Sequence, residues 1–128
     1  MNVLDENLPE CEQQQLCRWR IRVRHIGYDF ARQGIKDDQV IPLLHKLNRP
    51  TFFSRDGDYF NNKLCHAGYC LVFLDVDDVL VAEYVRRLLR HPAFNTRAKR
   101  LGRVIRLAPS GITFFAVRKN QEQHLSWQ

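Results

Sequence analysis

The chain reads as an α/β protein, an open and mostly parallel sheet flanked by helices and finished by a C-terminal β-hairpin. Three observations predict it. Apolar runs of strand length alternate with stretches of helical periodicity. Two β-rich stretches near the C-terminus flank the turn Ala108-Pro109-Ser110-Gly111. The length of 128 residues with 45% hydrophobic side chains suits one domain with one core.

The elements follow in order. Met1 to Leu4 is a short apolar strand broken at Asp5-Glu6-Asn7, and Pro9 followed by Glu10 and Glu12 predicts a helix with an acidic first turn. From Trp19 to Ile26 the pattern alternates: Trp19, Ile21 and Val23 on one side, Arg18, Arg20, Arg22 and Arg24 on the other. That period of two predicts a half-exposed strand whose arginine row guards an edge or contacts nucleic acid. Asp37-Asp38 opens an amphipathic helix through Val40, Ile41, Leu43, Leu44 and Leu47, with Pro42 tolerated in its first turn. Thr51 to Ser54 is a buried-type strand, Tyr59 to Leu64 a short helix and Tyr69 to Leu74 a third apolar strand. Val79 to Arg90 predicts a helix with Val81, Val85, Leu88 and Leu89 inward and Arg86, Arg87 and Arg90 outward. A basic connector through Arg97, Lys99 and Arg100 leads to the hairpin Val104 to Leu107 and Ile112 to Val117. The domain spans 1–119, and 120–128 reads as a polar tail.

Composition narrows the function classes. No apolar stretch is long enough to span a bilayer, and the early acids Asp5 and Glu6 replace the basic start of a secretory signal, so the expected compartment is the cytoplasm, with no membrane partner. Cys11, Cys17, Cys65 and Cys70 are then expected to be reduced and buried; a zinc site from Cys65, His66 and Cys70 is the alternative. A net charge of +6 favours polyanionic partners. Residues 65–128 hold 10 basic and 5 acidic side chains, with no acid between Glu83 and Glu122, so the positive field belongs to the C-terminal half.

Acids follow three of the predicted strands: Asp5 the first, Asp56 and Asp58 the Thr51 strand, Asp75 the Tyr69 strand. In open α/β sheets the carboxyl ends of strands face the ligand crevice, so these acids can converge, with Asp37 or Asp38 from the crossover helix joining them. Carboxylates in that arrangement suit Mg²⁺ or Mn²⁺ with substrate phosphate completing the shell. They also suit turn capping and helix-dipole pairing, which is the preferred reading for Asp75, Asp77 and Asp78.

Leu4-Asp5-Glu6-Asn7-Leu8-Pro9 and Ser54-Arg55-Asp56-Gly57-Asp58-Tyr59-Phe60 resemble the two signature stretches of the small PIN-like nuclease family, itself similar to the toxin nucleases of bacterial toxin-antitoxin pairs. Gly34-Ile35-Lys36-Asp37-Asp38-Gln39-Val40-Ile41 resembles that family's acidic helix start. The likeness covers residues 1–75 well and the hairpin loosely. It implies a PIN-like fold, metal ligation by Asp5, Asp38 and Asp56, and catalytic roles for these three with Asp58 as a further acid. Asp37 is the rival for the Asp38 role, and Glu6 and Asn7 assist from the first motif. One departure from larger PIN domains is the lack of a separate helix with their central glutamate ahead of Asp38.

The chemistry implied is hydrolysis of RNA, or of single-stranded DNA, by an Mg²⁺- or Mn²⁺-dependent endonuclease. Arg55 would clamp phosphate or pair with a neighbouring acid. The basic residues from Arg86 to Lys119 would track the nucleic-acid backbone or form a solvated face. A small antitoxin protein and a homodimer are the further partners implied. The competing class is a catalytically degenerate PIN-like module that binds nucleic acid or antitoxin without cutting, with Phe114, Phe115 and Trp127 available for partner contact.

Overall fold

Every second residue of the central strands faces the same side of the sheet, and this alternation sorts the core into two layers. A computed structural model describes residues 1–27, 29 and 37–127, without the side chain of Asp37. Its elements are β1 (Asn2–Leu4), α1 (Glu10–Arg18), β2 (Arg24–His25), α2 (Asp37–Lys46), β3 (Thr51–Ser54), β4 (Cys70–Leu74), α3 (Val81–Arg90), α4 (Arg97–Arg100), β5 (Arg103–Ala108), β6 (Gly111–Ala116) and β7 (Gln123–Leu125). They form one seven-stranded sheet in the order β2-β1-β3-β4-β5-β6-β7. The first five positions are parallel and the last two joins antiparallel. The mixed, mostly parallel α/β architecture with a C-terminal hairpin is thus present.

Leu4, Phe53, Val72 and Ile105 pack with Leu16 of α1 and with Val81, Val85 and Leu88 of α3. Their strand neighbours Val3, Phe52, Leu71 and Val104 pack instead with Val40 and Leu44 of α2. α1 and α3 therefore cover one face and α2 the other. α1 also caps α3: Glu12 Oε1 accepts the Ala82 backbone N–H at 3.1 Å, satisfying a donor that the first turn of a helix leaves without a partner.

Four sequence expectations need correction. The alternating stretch from Trp19 is a strand only at Arg24–His25. Its burial alternates as expected, with Trp19, Ile21 and Val23 against the core, but Arg20 turns the chain at φ 61° and β1 offers pairing positions only from Val3 onward. In place of a helix over Tyr59 to Leu64 stand two single 3₁₀ turns, Gly57–Tyr59 and Asn62–Leu64, opened by Asp56 and Asn61 side chains that accept the N–H two residues on. The basic connector holds the short α4, whose Arg100 is buried, donating from Nε to Thr51 Oγ1 at 3.0 Å and from Nη1 to the Phe94 carbonyl at 2.8 Å. Beyond Lys119, in the predicted tail, β7 pairs with β6 and Trp127 packs on the α3 layer, its Nε1–H donating to the Ala108 carbonyl at 2.7 Å.

The cysteines are free and divide by exposure. Cys11 and Cys17 are exposed, against the expected burial, whereas Cys70 is buried and its thiol is pushed up to about 12 by desolvation. Cys65 packs on the α2 layer and Cys70 on the opposite one. Among the described residues no helix is long and apolar enough to cross a membrane.

Candidate functional site

Strand order fixes where a site can form. β1 lies between β2 and β3, and the connections that leave it and return to β3 carry α1 and α2 on opposite faces. The chain reverses its winding there, opening a crevice beyond the carboxyl ends of β1 and β3. Asp5 leaves β1 at this point. Its N–H donates to the Phe53 carbonyl at 2.9 Å, continuing the ladder one step past Leu4 and bringing Asp5 level with Ser54.

Ser54 joins the two acidic motifs. Its hydroxyl, fully buried, donates to Asp5 Oδ2 at 2.6 Å and accepts the Asp56 backbone N–H at 3.0 Å. Asp5 Oδ1 accepts the Glu6 N–H at 2.8 Å. Asp56 Oδ1 accepts the Asp58 N–H at 2.9 Å, which sets the turn after β3. Two partly exposed acidic residues, 51 positions apart in the chain, are thus joined by one hydroxyl, which holds the carboxylate of Asp5 and the backbone of Asp56, while local backbone donors hold one oxygen of each side chain. Sequence reasoning missed Ser54, although a hydroxyl at the carboxyl end of a buried strand, two residues before Asp56, was the signal available.

His25, at the end of β2, flanks the same crevice. Burial holds its imidazole below the ordinary range, outweighing the opposite pull of Asp29, Asp5 and Glu6. The ring is therefore neutral near pH 7, and its backbone N–H donates to Asp29 Oδ2 at 2.8 Å.

The remaining candidates are less closely joined. Asp38 lies exposed in the first turn of α2, on the connection that leaves the carboxyl end of β2, and no hydrogen bond or ion pair links it to Asp5 or Asp56 among the described residues. The Asp37 side chain, its rival, and Gly34 to Lys36 of the same motif lie outside the described residues. Asp58 contributes its N–H to the turn, and its side chain is exposed. Arg55 pairs with Asp78 and donates from Nε to the Val76 carbonyl at 3.0 Å, so of its two expected roles it takes pairing with an acid. Asp75 caps no helix: both contacts go to Arg106 on β5, at 2.6 and 3.0 Å.

Among the described residues no group of three or more His, Cys, Asp or Glu side chains is close enough to hold a metal ion. Mg²⁺ does not require such a cage, since it binds through one or two carboxylates with waters and substrate phosphate filling the octahedron. The all-oxygen pair Asp5 and Asp56 fits that mode, and a softer ion would ask for nitrogen or sulfur donors that the pair lacks. In comparison with known proteins, the chain matches no family model, no curated protein and no solved structure.

Proposed function

We propose that the protein is a PIN-like, Mg²⁺- or Mn²⁺-dependent endonuclease acting on RNA, and the toxin of a toxin-antitoxin pair. The observation that carries this reading is the Ser54 hydroxyl tying Asp5 to the Asp56 backbone at the point where the sheet reverses its winding. Asp5 and Asp56 would hold the ion, with Asp38 as the third ligand. When bound, the ion supplies electrophilic stabilisation of the phosphate and lowers the pKa of a water for in-line attack.

The chain's own residues do the positioning. Ser54 and the Glu6 N–H each hold one oxygen of Asp5, which sets the orientation of the carboxylate. The Asp58 N–H holds one oxygen of Asp56, Oδ1. Neutral His25 adds no positive charge that would compete with a cation for Asp5. A small antitoxin would act by covering this crevice and the basic surface beside it.

One observation favours a second reading. Asp38 is exposed and shares no hydrogen bond with Asp5 or Asp56 among the described residues, which suits a degenerate PIN-like module that binds nucleic acid or antitoxin without cutting. Cleavage of labelled RNA and single-stranded DNA with Mg²⁺, with Mn²⁺ and with EDTA separates the two, using wild type, Asp5→Asn, Asp56→Asn and Asp38→Asn. The nuclease reading expects metal-dependent cutting of RNA, lost by at least about a hundredfold in Asp5→Asn and Asp56→Asn. No cutting by wild type, with binding that persists in EDTA, would move the protein to the second reading.

A further inference from the structure

We propose that α3 carries a second nucleic-acid contact, a phosphate-binding track built from Arg86 and Arg87 on two tryptophan platforms with Arg90 beside them. It rests on the nuclease reading only in choosing nucleic acid over another polyanion. Three separate observations point to it.

The first is stacking. The Arg86 guanidinium carbon lies 3.7 Å from the centre of the Trp19 ring, and that of Arg87 lies 5.0 Å from Tyr84 and 5.3 Å from Trp127. A guanidinium laid on a ring spends its face on the π system and keeps its N–H edge free in the plane, the edge that matches a phosphate. The platforms are themselves fixed: Trp19 packs on the core, and Trp127 is held by its bond to the Ala108 carbonyl and by edge contacts with Tyr84 at 5.3 Å and His91 at 6.3 Å.

The second is charge. Arg24, Arg55 and Arg106 each pair with an aspartate, whereas Arg86, Arg87 and Arg90 take part in no ion pair among the described residues. Glu83 is one turn away on the same helix and is the nearest acid in sequence. Arg87 and Arg90 in the last turn complement the negative helix end, but that role asks for neither rings nor a cavity.

The third is shape. Arg86, Arg87, Arg90, His91, Pro92 and Trp127 line a cavity of about 310 Å³. It is open and small, at the lower limit for ligand sites, which suits one backbone unit of a polymer rather than an enclosed metabolite. Because α3 follows β4, it starts at the end of the sheet where Asp5 and Asp56 stand and runs away from it. A strand held at the crevice can continue along it.

The test is binding of a short fluorescein-labelled oligouridylate in EDTA, read by anisotropy across a KCl series. Three phosphate contacts to a single strand give a salt slope of about −2, so R86Q/R87Q/R90Q should flatten the slope by about 2 and weaken binding at least tenfold near 0.1 M salt. The control K46Q/R49Q/K63Q removes the same charge from exposed positions elsewhere and should weaken binding by less than about threefold. Equal loss in both triples, or no loss in the first, overturns the track. Polyglutamate that binds as tightly as the oligonucleotide, with the same dependence on the three arginines, overturns it in favour of an acidic protein partner. Should the first triple fail to fold, Arg90→Gln alone, which rests on no ring, must still flatten the slope by about 0.7. The oligouridylate assay is run in EDTA and requires no cutting, so failure of the track and failure of the nuclease reading show in different assays.

Discussion

At the scale of single residues, Ser54 is where the two acidic stretches share one atom. Its hydroxyl donates a hydrogen bond to Asp5 and accepts one from the Asp56 backbone N–H, inside a strand end with no access to water. Ser54→Ala leaves both groups short of a partner, at a cost of about 1–3 kcal/mol in stability. A larger effect is expected on the site, because a group that orients a metal ligand is worth about 10–100-fold in metal affinity or activity. The predicted outcome is that the Mn²⁺ concentration for half-maximal cleavage rises by that factor in Ser54→Ala, while Ser54→Thr, which keeps the hydroxyl, recovers most of it. An unchanged metal requirement in a folded Ser54→Ala would reduce Ser54 to a packing residue. Asp5 and Asp56 were legible in the sequence as acids after strands; Ser54 was not, because a serine ending an apolar run is ordinary until its neighbours across the sheet are known.

At the scale of elements, the sequence pattern reported burial more faithfully than backbone. The alternation from Trp19 to Val23 correctly predicts which side chains face the core, yet only Arg24 and His25 gain a neighbouring strand. Period two in sequence is a statement about sides, and a strand also needs backbone to pair with. The opposite error was made at the C-terminus, where a polar run looked like a tail. β7 is polar because it is an edge strand with mostly exposed side chains, and what holds it is pairing with β6 together with Trp127. Trp127→Ala removes the bond to Ala108 and the edge contact with Tyr84, and should lower unfolding free energy by about 2 kcal/mol. Urea denaturation checks this, and a shift under about 0.5 kcal/mol would mean that the C-terminal segment adds little to the domain.

At the scale of the whole molecule, the alternation of strands and helices was readable, but strand order was not. A sheet numbered in chain order and one with β1 between β2 and β3 have the same local patterns; they differ in which face each crossover takes, and that depends on the packing of α1 and α2 against distant strands. The order matters because it makes Asp5 and Asp56 neighbours across 51 positions of sequence. That proximity couples site and stability. A divalent ion held by Asp5 and Asp56 would bind only the folded state, since the unfolded chain separates the two residues. Binding at about a hundred times the dissociation constant adds about 2.7 kcal/mol to stability. For a domain of this size that raises the melting temperature by about 10 °C. Mn²⁺ should therefore stabilise wild type by that order in a thermal scan, with the gain lost in Asp5→Asn and in Asp56→Asn and restored to baseline by EDTA. Asp38→Asn reads out the third position without any appeal to activity: a reduced gain makes Asp38 a ligand in the folded protein, and a full gain confines ligation to Asp5 and Asp56. A gain that survives in both Asp5→Asn and Asp56→Asn would show that the ion binds elsewhere, and the carboxylate pair at the switch in winding would lose its claim to the metal.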